Sequence, residues 1–99
     1  MAKPKVWNVT GFDWDEANIS HIAKHNVTPA EAEELFFDLE NVLDQDLEHS
    51  QSEQRLIIIG KTKEDRLLYQ IYTTRGDRIR VISSRDLNKR EFPLYKKAK

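Results

Sequence analysis

Apolar and polar positions alternate most regularly in the second half of the chain, and this pattern predicts three strands. The segments cover residues 55–61, 67–74 and 78–85. In a pleated strand, alternation sends successive side chains to opposite faces. Gly76-Asp77 is a typical turn pair, because Gly tolerates the positive φ of a tight turn and Asp can bond its own backbone. We therefore predict an antiparallel meander, whose first strand is interior because Leu56-Ile57-Ile58-Ile59 is apolar throughout.

Two helices are predicted in the first half of the chain, each with a capping signal. Asp13 or Asp15 can cap the first helix, and Asp13 with Glu16 has capping-box spacing. Asn26 or its neighbour is expected to end that helix. The second helix starts at Thr28-Pro29-Ala30-Glu31, where Thr caps, Pro fits the first position and Glu completes the box. The stripes expected to face the sheet are Trp14, Ala17, His21 and Ile22 in the first helix, and Ala32, Leu35, Phe36 and Leu39 in the second.

The remaining segments carry weaker patterns. Lys5–Thr10 is read as an edge strand or an extended arm, Val42–Leu43 as a short strand, and residues 50–52 as a loop. Residues 87–97 are weakly amphipathic, and any helix there is short or kinked because Pro93 interrupts helical hydrogen bonding. The predicted fold is α+β, with two N-terminal helices packed on an antiparallel sheet of three to four strands and a short C-terminal helix.

Composition limits the class of protein. Ninety-nine residues are enough for one domain with a single core, so residues 1–99 are read as one unit. The absence of cysteine excludes disulfides, thiolate metal sites and thiol nucleophiles, and it fits a reducing cytoplasm. No apolar run is long enough for a signal peptide or a membrane span. We expect a soluble cytoplasmic protein with no membrane partner.

Charge is divided unevenly along the chain. Residues 1–50 hold 3 Lys or Arg against 11 Asp or Glu, a net charge of −8, whereas residues 51–99 hold 13 against 6, a net charge of +7. If the halves form different surfaces, the basic one can attract a polyanion and the acidic one can meet a basic partner. The alternative is that the halves interleave and neutralise each other.

The predicted hairpin concentrates four arginines: Arg75, Arg78, Arg80 and Arg85. The planar guanidinium suits phosphate, so nucleic acid is the first partner to consider. A solvated sheet face with ion pairs is the alternative reading. Along the last strand, we expect Ile79, Val81 and Ser83 on one face, and Arg80, Ile82 and Ser84 on the other.

Other chemistries have weaker support in the sequence. His21 and His25 have a spacing that can share a metal, but further ligands are missing, so we expect neither a metal nor another cofactor. His21 is expected to pack against the sheet, while His25 beside Lys24 can act as acid, base or phosphate contact. Tyr72 is the aromatic residue most suspected of stacking on RNA. Arg, Lys, His, Glu and Tyr together can cleave RNA without a metal.

Several separated motifs resemble the BrnT family of toxins. The resemblance implies a RelE-like fold and a metal-independent ribonuclease of type II toxin–antitoxin systems. It also implies a BrnA-like antitoxin, whose ribbon-helix-helix part binds DNA, so this chain meets DNA only through that partner. The motifs are Phe12-Asp13-Trp14-Asp15-Glu16, Asn18-Ile19-Ser20-His21-Ile22-Ala23-Lys24-His25-Asn26-Val27-Thr28, Gly60-Lys61-Thr62, Thr74-Arg75-Gly76-Asp77-Arg78-Ile79-Arg80-Val81-Ile82-Ser83-Ser84-Arg85 and Lys89-Arg90-Glu91.

The resemblance also implies positions for the functional residues. Arg75 and Arg85 match the family's best candidates for activity, and Lys24-His25 matches a pair at the end of the first helix. Asn26 stands where the family has Gly, and it can still adopt the left-handed helix end. We therefore expect Arg75, Arg85, Lys24 and His25 to be catalytic, and Arg55, Arg78, Arg80 and Tyr72 to bind RNA.

Strand geometry separates the two leading arginines. If Gly76-Asp77 is a tight turn, Arg85 lies about 23 Å from it, at about 3.3 Å per residue. Arg75 and Arg85 then contact different phosphates, unless the turn is wider and the register shifts. Three functions stay open at this point: a ribonuclease toxin, an inactive relative that acts only through its antitoxin, and a nucleic-acid-binding domain without cleavage.

Overall fold

A computed structural model describes residues 10–46 and 54–96. Within these ranges the chain is α+β, as predicted, with three α-helices and five strands. The helices are α1 (Glu16–Ala23), α2 (Pro29–Glu34) and α3 (Phe92–Lys96), with 3₁₀ turns at Leu35–Phe37 and Lys89–Glu91. The strands are β1 (Gly11–Phe12), β2 (Val42–Gln45), β3 (Leu56–Lys61), β4 (Leu67–Arg75) and β5 (Arg78–Asp86).

The sheet is mixed rather than purely antiparallel. Its strand order is β1-β5-β4-β3-β2, with β1 parallel to β5 and the other neighbours antiparallel. The predicted meander is confirmed as β3, β4 and β5, with β3 in the interior. The prediction of three to four antiparallel strands missed β1, which is too short to show a period. Most of the predicted strand at residues 5–10 lies outside the described residues, and Thr10 precedes β1.

The β4–β5 hairpin has the tight turn that its sequence predicts. Arg75 pairs with Arg78, and Gly76 between them has φ of 61°. A bulge follows, because Tyr72 pairs with Val81 whereas Ile71 pairs with Ser83. The extra residue shifts the alternation, so the predicted grouping of Ser83 with Ile79 and Val81 is wrong. Ser84 is buried on that face instead, where its hydroxyl donates to Gln70 at 2.8 Å.

Helix α1 is rotated relative to its predicted stripe. Asp15 is the N-cap, and the capping box is closed by Asn18 rather than formed by Asp13 and Glu16. Asn18 is buried, and its Nδ2 donates to the carbonyl oxygens of Asp13 and Val81. Because Asn18 and Ile22 occupy the face toward the sheet, Ala17 and His21 are exposed. The expectation that His21 packs on the sheet is therefore wrong.

Helix α2 begins as predicted and ends early. Thr28 accepts from the backbone N–H of Glu31, and Glu31 accepts from the backbone N–H of Thr28. Leu35 and Phe36 are buried, as the stripe predicted, but the helix tightens into a 3₁₀ turn after Glu34. Leu39, the last member of the stripe, is consequently 61% exposed.

Apolar side chains pack on both faces of the sheet, and the cluster on the helix face is the larger one. The main core lies between the sheet and the first two helices, where Phe36 meets Phe12 and Tyr72 edge to face. A smaller cluster on the opposite face joins Leu87 and Tyr95 to β3. Helix α3 is short, as Pro93 predicted, and covers only one end of that face. No helix among residues 10–46 and 54–96 has the length and apolar character that a membrane span requires.

Candidate nucleic-acid interface

The face of the sheet opposite α1 and α2, called the open face below, carries the candidate site. Ile58, Leu68 and Tyr72 point to the first two helices, so the residues that alternate with them lie on the open face. Ile57 and Ile71 are only half-buried there. The open face thus has a partly accessible apolar centre, and Arg85 lies on it beside Tyr69.

Three side chains form a fixed group at the end of the open face next to α3, called the Arg85 cluster: Tyr69, Arg85 and Glu91. Tyr69 and Arg85 are cross-strand partners, and the Arg85 guanidinium lies 4.3 Å from the ring centroid. Nη1 and Nη2 of Arg85 each donate to one carboxylate oxygen of Glu91 at 2.8 Å. Such a bidentate pair fixes the plane of the guanidinium, and stacking on Tyr69 restrains it from one side.

The position of Glu91 follows from the local sequence. Asn88 caps the 3₁₀ turn by accepting from the Glu91 N–H, and Glu91 accepts from the Asn88 N–H at 3.0 Å. This capping box directs the carboxylate back toward β5. Sequence reasoning noted Glu91 only within a motif and gave it no role.

Electrostatics keeps Arg85 and Glu91 ionised and Tyr69 neutral. The hydrogen bonds from Arg85 are the main cause that lowers the pKa of Glu91 below its ordinary value of 4.5. The same bonds raise the pKa of Arg85, and burial is the main cause that raises the pKa of Tyr69. The Arg85 side chain nevertheless stays 39% exposed. The Arg85 guanidinium is therefore oriented and partly accessible from solvent, while Glu91 balances its charge and occupies both terminal nitrogens.

The turn arginines, Arg75 and Arg78, lie at the other end of the hairpin. Arg85 pairs with Tyr69, which is six residues from Arg75 along β4, or about 20 Å at about 3.3 Å per residue. Both turn arginines are exposed, and Arg78 donates to the carbonyl oxygen of Phe12 at 2.9 Å. The structure therefore does not bring Arg75 and Arg85 to one phosphate.

Arg80 and Arg55 occupy more enclosed positions. Arg80 donates to both carboxylate oxygens of Asp15, at 3.0 and 3.1 Å, and lies 3.6 Å from Asp13. Its side chain is only 13% exposed. Arg55 precedes β3 and is half-buried, and its carbonyl oxygen accepts from the Asp46 N–H. The structure therefore uses Arg80 to hold the N-terminus of α1, which sequence reasoning did not foresee.

Tyr72 does not lie on the open face. Its side chain is 2% exposed, and its ring meets Phe36 edge to face at 5.0 Å. The ring points to the helices because Tyr72 alternates regularly along β4 with Leu68 and Gln70, which face the helices as well. Base stacking requires an accessible ring, so the predicted RNA contact of Tyr72 is corrected to a core position.

The Lys24-His25 pair is exposed at the end of α1. Arg66 holds this end by donating to the carbonyl oxygens of His25 and Asn26, at 2.9 and 2.7 Å. Arg66 also bonds Asp86, the neighbour of Arg85 on β5, at 2.7 Å. The pair therefore lies at the same end of β5 as Arg85, although it belongs to the helix side of the sheet.

Arg66 is the second residue that sequence reasoning missed. Besides its bonds to Asp86 and the helix carbonyls, its guanidinium meets both carboxylate oxygens of Glu31 at 3.2 Å. These bonds lower the pKa of Asp86 and raise that of Arg66. A lone arginine in a charged loop gives no sequence signal of such contacts, because its four partners come from three distant segments.

The α+β fold carries the Arg85 cluster on its open face, and comparison with known families identifies the class. A family model described as the ribonuclease toxin BrnT of type II toxin–antitoxin systems matches residues 14–91. The chain belongs to the BrnT family, which confirms the resemblance seen in its motifs. Membership implies an RNA target and an antitoxin partner. A comparison with curated proteins found no match.

Proposed function

We propose that this chain cleaves RNA without a metal ion and that the Arg85 cluster holds the scissile phosphate. The observation that carries the proposal is the bidentate Arg85–Glu91 pair stacked on Tyr69, on an otherwise open face. A fixed cation aimed at solvent is suited to stabilise the charge that builds on a phosphate during cleavage. Because arginine provides this charge, the reaction has no need of a metal for that role.

The proposed reaction is an internal transfer within the RNA. The ribose 2′-oxygen attacks the phosphorus and loses its proton to a base, while the bond to the 5′-oxygen breaks and that oxygen gains a proton. The products are a 2′,3′-cyclic phosphate and a 5′-hydroxyl end. We propose Lys24 and His25 as the source of acid and base, because His can exchange protons near neutral pH. The pair lies on the helix side of the sheet and Arg85 on the open face, so the RNA is proposed to pass around the edge of β5 beyond its pairing with β1.

The remaining arginines are proposed to bind the RNA away from the scissile bond. Arg75 and Arg78 suit a phosphate about 20 Å from Arg85, and Arg55 suits the strand path between them. Arg80 contributes to the field of this surface while its guanidinium stays with Asp15. Arg75 is therefore assigned to binding rather than to the scissile phosphate.

The antitoxin is proposed to be a BrnA-like ribbon-helix-helix protein that neutralises the chain and carries the DNA contact. The fold is proposed to be RelE-like, which is consistent with two helices packed on one face of a meander. Both statements rest on the family match over residues 14–91.

An inactive relative that acts only through its antitoxin is the second candidate. It is favoured by the same ion pair, because Glu91 occupies both terminal nitrogens of Arg85 in the free chain. If a phosphate cannot compete for this guanidinium, the cluster only fastens the C-terminal 3₁₀ turn to β5.

Incubation of the purified chain with single-stranded RNA and excess EDTA distinguishes the two candidates. Cleavage that persists in EDTA and leaves 2′,3′-cyclic phosphate ends is expected from the proposed reaction. Intact RNA, both with EDTA and with added Mg²⁺, together with normal growth of cells that express the chain, would establish the inactive relative. Cleavage only with Mg²⁺ would refute the metal-independent reaction.

A further inference from the structure

A groove of about 840 Å³ lies between the end of α2 and the loop that joins β3 to β4, and none of its lining residues belongs to the Arg85 cluster. Its walls are the segment from Glu33 to Glu40 on one side and residues 61–65 on the other. Neither ribonuclease chemistry nor RNA binding uses this groove. It is called the acidic groove below.

Two apolar side chains at the acidic groove are unusually exposed. Phe37 is 52% and Leu39 is 61% exposed, more than any other large apolar side chain in residues 10–46 and 54–96. Both follow the point at which α2 tightens into a 3₁₀ turn, which turns them away from the core. Adjacent exposed apolar residues with a polar rim are typical of a protein contact.

The rim of the acidic groove carries an excess of negative charge. Five acidic side chains line it against two lysines, Lys61 and Lys63. Lys61 is itself paired with Asp65 at 3.5 Å. Such a surface repels the phosphates of RNA and attracts a basic polypeptide. The acidic side chains are Glu33, Glu34, Asp38, Glu40 and Asp65.

Several of these carboxylates are held in place by the protein. Glu33 accepts from the indole N–H of Trp14 at 2.7 Å, and Glu34 accepts from the backbone N–H of Lys63 at 3.0 Å. Asp38 accepts from the Tyr95 hydroxyl at 2.7 Å and from the Lys61 N–H at 2.9 Å. Charges that are oriented before binding lose less conformational entropy when a partner arrives.

We propose that the acidic groove docks a basic amphipathic segment of the antitoxin, with apolar side chains against Phe37 and Leu39 and with Lys or Arg facing the acidic rim. The proposal rests on the proposed function only in taking an antitoxin as the partner. Because no residue of the groove belongs to the Arg85 cluster, the proposed contact anchors the antitoxin through residues other than those proposed to bind RNA.

Two variants test the two halves of this contact. Phe37→Ser with Leu39→Ser removes the apolar anchors, and truncating buried interface anchors of this kind is expected to weaken antitoxin binding about tenfold or more. Glu33→Gln with Glu34→Gln removes two charges but keeps oxygen acceptors for Trp14 and Lys63. It is expected to weaken binding about threefold to tenfold at low salt, with a smaller effect at high salt.

The binding assay uses the full-length chain and the antitoxin encoded beside it, with affinities from calorimetry at two salt concentrations. Ile19→Ser and Glu16→Gln, on the exposed surface of α1, serve as matched controls and are expected to bind as the parent chain does. RNA cleavage is measured in parallel and is expected to stay unchanged in both groove variants.

The possible results separate clearly. Weaker binding in both groove variants, with normal controls and normal cleavage, supports the proposal. Unchanged binding in the apolar variant overturns the groove as the docking site, and unchanged binding in the charge variant overturns the basic nature of the segment. If the parent chain does not bind the antitoxin, the docking proposal fails, while the cleavage assay still decides the ribonuclease proposal independently.

Discussion

Arg85, Arg80 and Arg75 show how one residue type acquires three roles from its surroundings. Arg85 is oriented by Glu91 and remains partly accessible, whereas Arg80 is enclosed by the carboxylates at the start of α1. Arg75 lies beside the exposed hairpin turn. Charge alone does not distinguish these residues, because the neighbouring side chains decide which guanidinium can meet a phosphate.

Replacing Arg85 with Lys tests the proposed phosphate contact. A lysine keeps the charge but cannot form the bidentate bond to Glu91 or present a planar fork to phosphate. We expect the rate of RNA cleavage under single-turnover conditions to fall about 100-fold or more. Arg90→Lys, at an exposed neighbouring position, is the control and should cleave normally. An Arg85→Lys chain that is folded and cleaves at the parent rate would remove Arg85 from the site.

Replacing Arg66 with Met tests its structural role. The change leaves Glu31, Asp86 and the carbonyl oxygens at the end of α1 without their shared donor, at a site where the side chain of Glu31 is 27% exposed and that of Asp86 is 64% exposed. We expect the free energy of unfolding to fall by about 2 kcal/mol, within the range for lost hydrogen bonds to charged groups. Urea denaturation measures this change. Arg90→Met alters an exposed arginine and is the control, with an expected loss of less than about 0.5 kcal/mol in the free energy of unfolding. An equal loss in both variants would contradict the structural role of Arg66.

At the scale of elements, local capping signals and the contacts of the sheet act differently. Thr28 and Glu31 mark the start of α2 by a local capping box, and Arg66 reinforces it by bonding Glu31. In α1, by contrast, the choice between Asp13 and Asp15 depends on Asn18, which bonds to β5 as well as to its own helix. Tertiary contacts therefore fix the rotation of α1, whereas sequence alone fixes the start of α2.

Replacing Thr28 with Ala tests the α2 cap. Loss of the hydroxyl that accepts from the Glu31 N–H is expected to lower the free energy of unfolding by about 1 kcal/mol. Thr28→Ser keeps the acceptor and is the matched control, with most of the stability retained. Equal stability of the Ala and parent chains in urea would mean that the cap makes no net contribution.

At the scale of the whole molecule, the acidic and basic halves are neither separate nor fully interleaved. The acidic helices lie on one face of a sheet whose three basic strands supply most of the open face. Arg66–Glu31 and Arg80–Asp15 join the halves at two places. Among the other charged groups, Arg85 lies on the open face and five carboxylates line the acidic groove, so the two proposed contacts, RNA and a basic protein segment, use different residues.

The ion pairs Arg66–Asp86 and Arg85–Glu91 predict that the fold is sensitive to acid. Arg66 lowers the pKa of Asp86 and Arg85 lowers that of Glu91, from ordinary values of 3.8 and 4.5. When a folded-state pKa is lowered, the unfolded chain binds more protons in the interval between the two values, so stability rises with pH there. The stabilisation is complete above about pH 5 and is lost as pH falls through the lowered values.

Urea denaturation from pH 7 to 3 measures this effect. The difference in stability between the parent chain and Arg66→Met is expected to be constant above about pH 5 and to narrow below about pH 4. The Arg90→Met control should follow the parent chain throughout. A difference that stays constant down to pH 3 would show that Asp86 does not depend on Arg66 for its ionised state.

Much of the candidate site was predictable from sequence because its signals are local or arise from regular strands. The tight turn at Gly76-Asp77 fixes the distance between Arg75 and Arg85, and motif spacing indicates the family. The acceptor of Arg85 was not predictable, because Glu91 reaches it through a 3₁₀ turn whose direction depends on packing. Tyr72 was misplaced because its nearness to Arg75 in the sequence does not show that it shares the helix face of β4 with Leu68.

The sequence by itself determined the α+β class, the β3–β5 meander, the start of α2 and the BrnT family, since periodicity, capping and motifs are encoded by neighbouring residues. Tertiary structure alone decided the partners of three arginines. Arg80 binds the start of α1, Arg85 is held by Glu91, and Arg66 joins the end of α1 to β5. The tertiary structure also exposed Phe37 and Leu39 beside fixed carboxylates. These features depend on contacts between residues far apart in the chain, where burial and pairing rather than residue type set the role of each side chain.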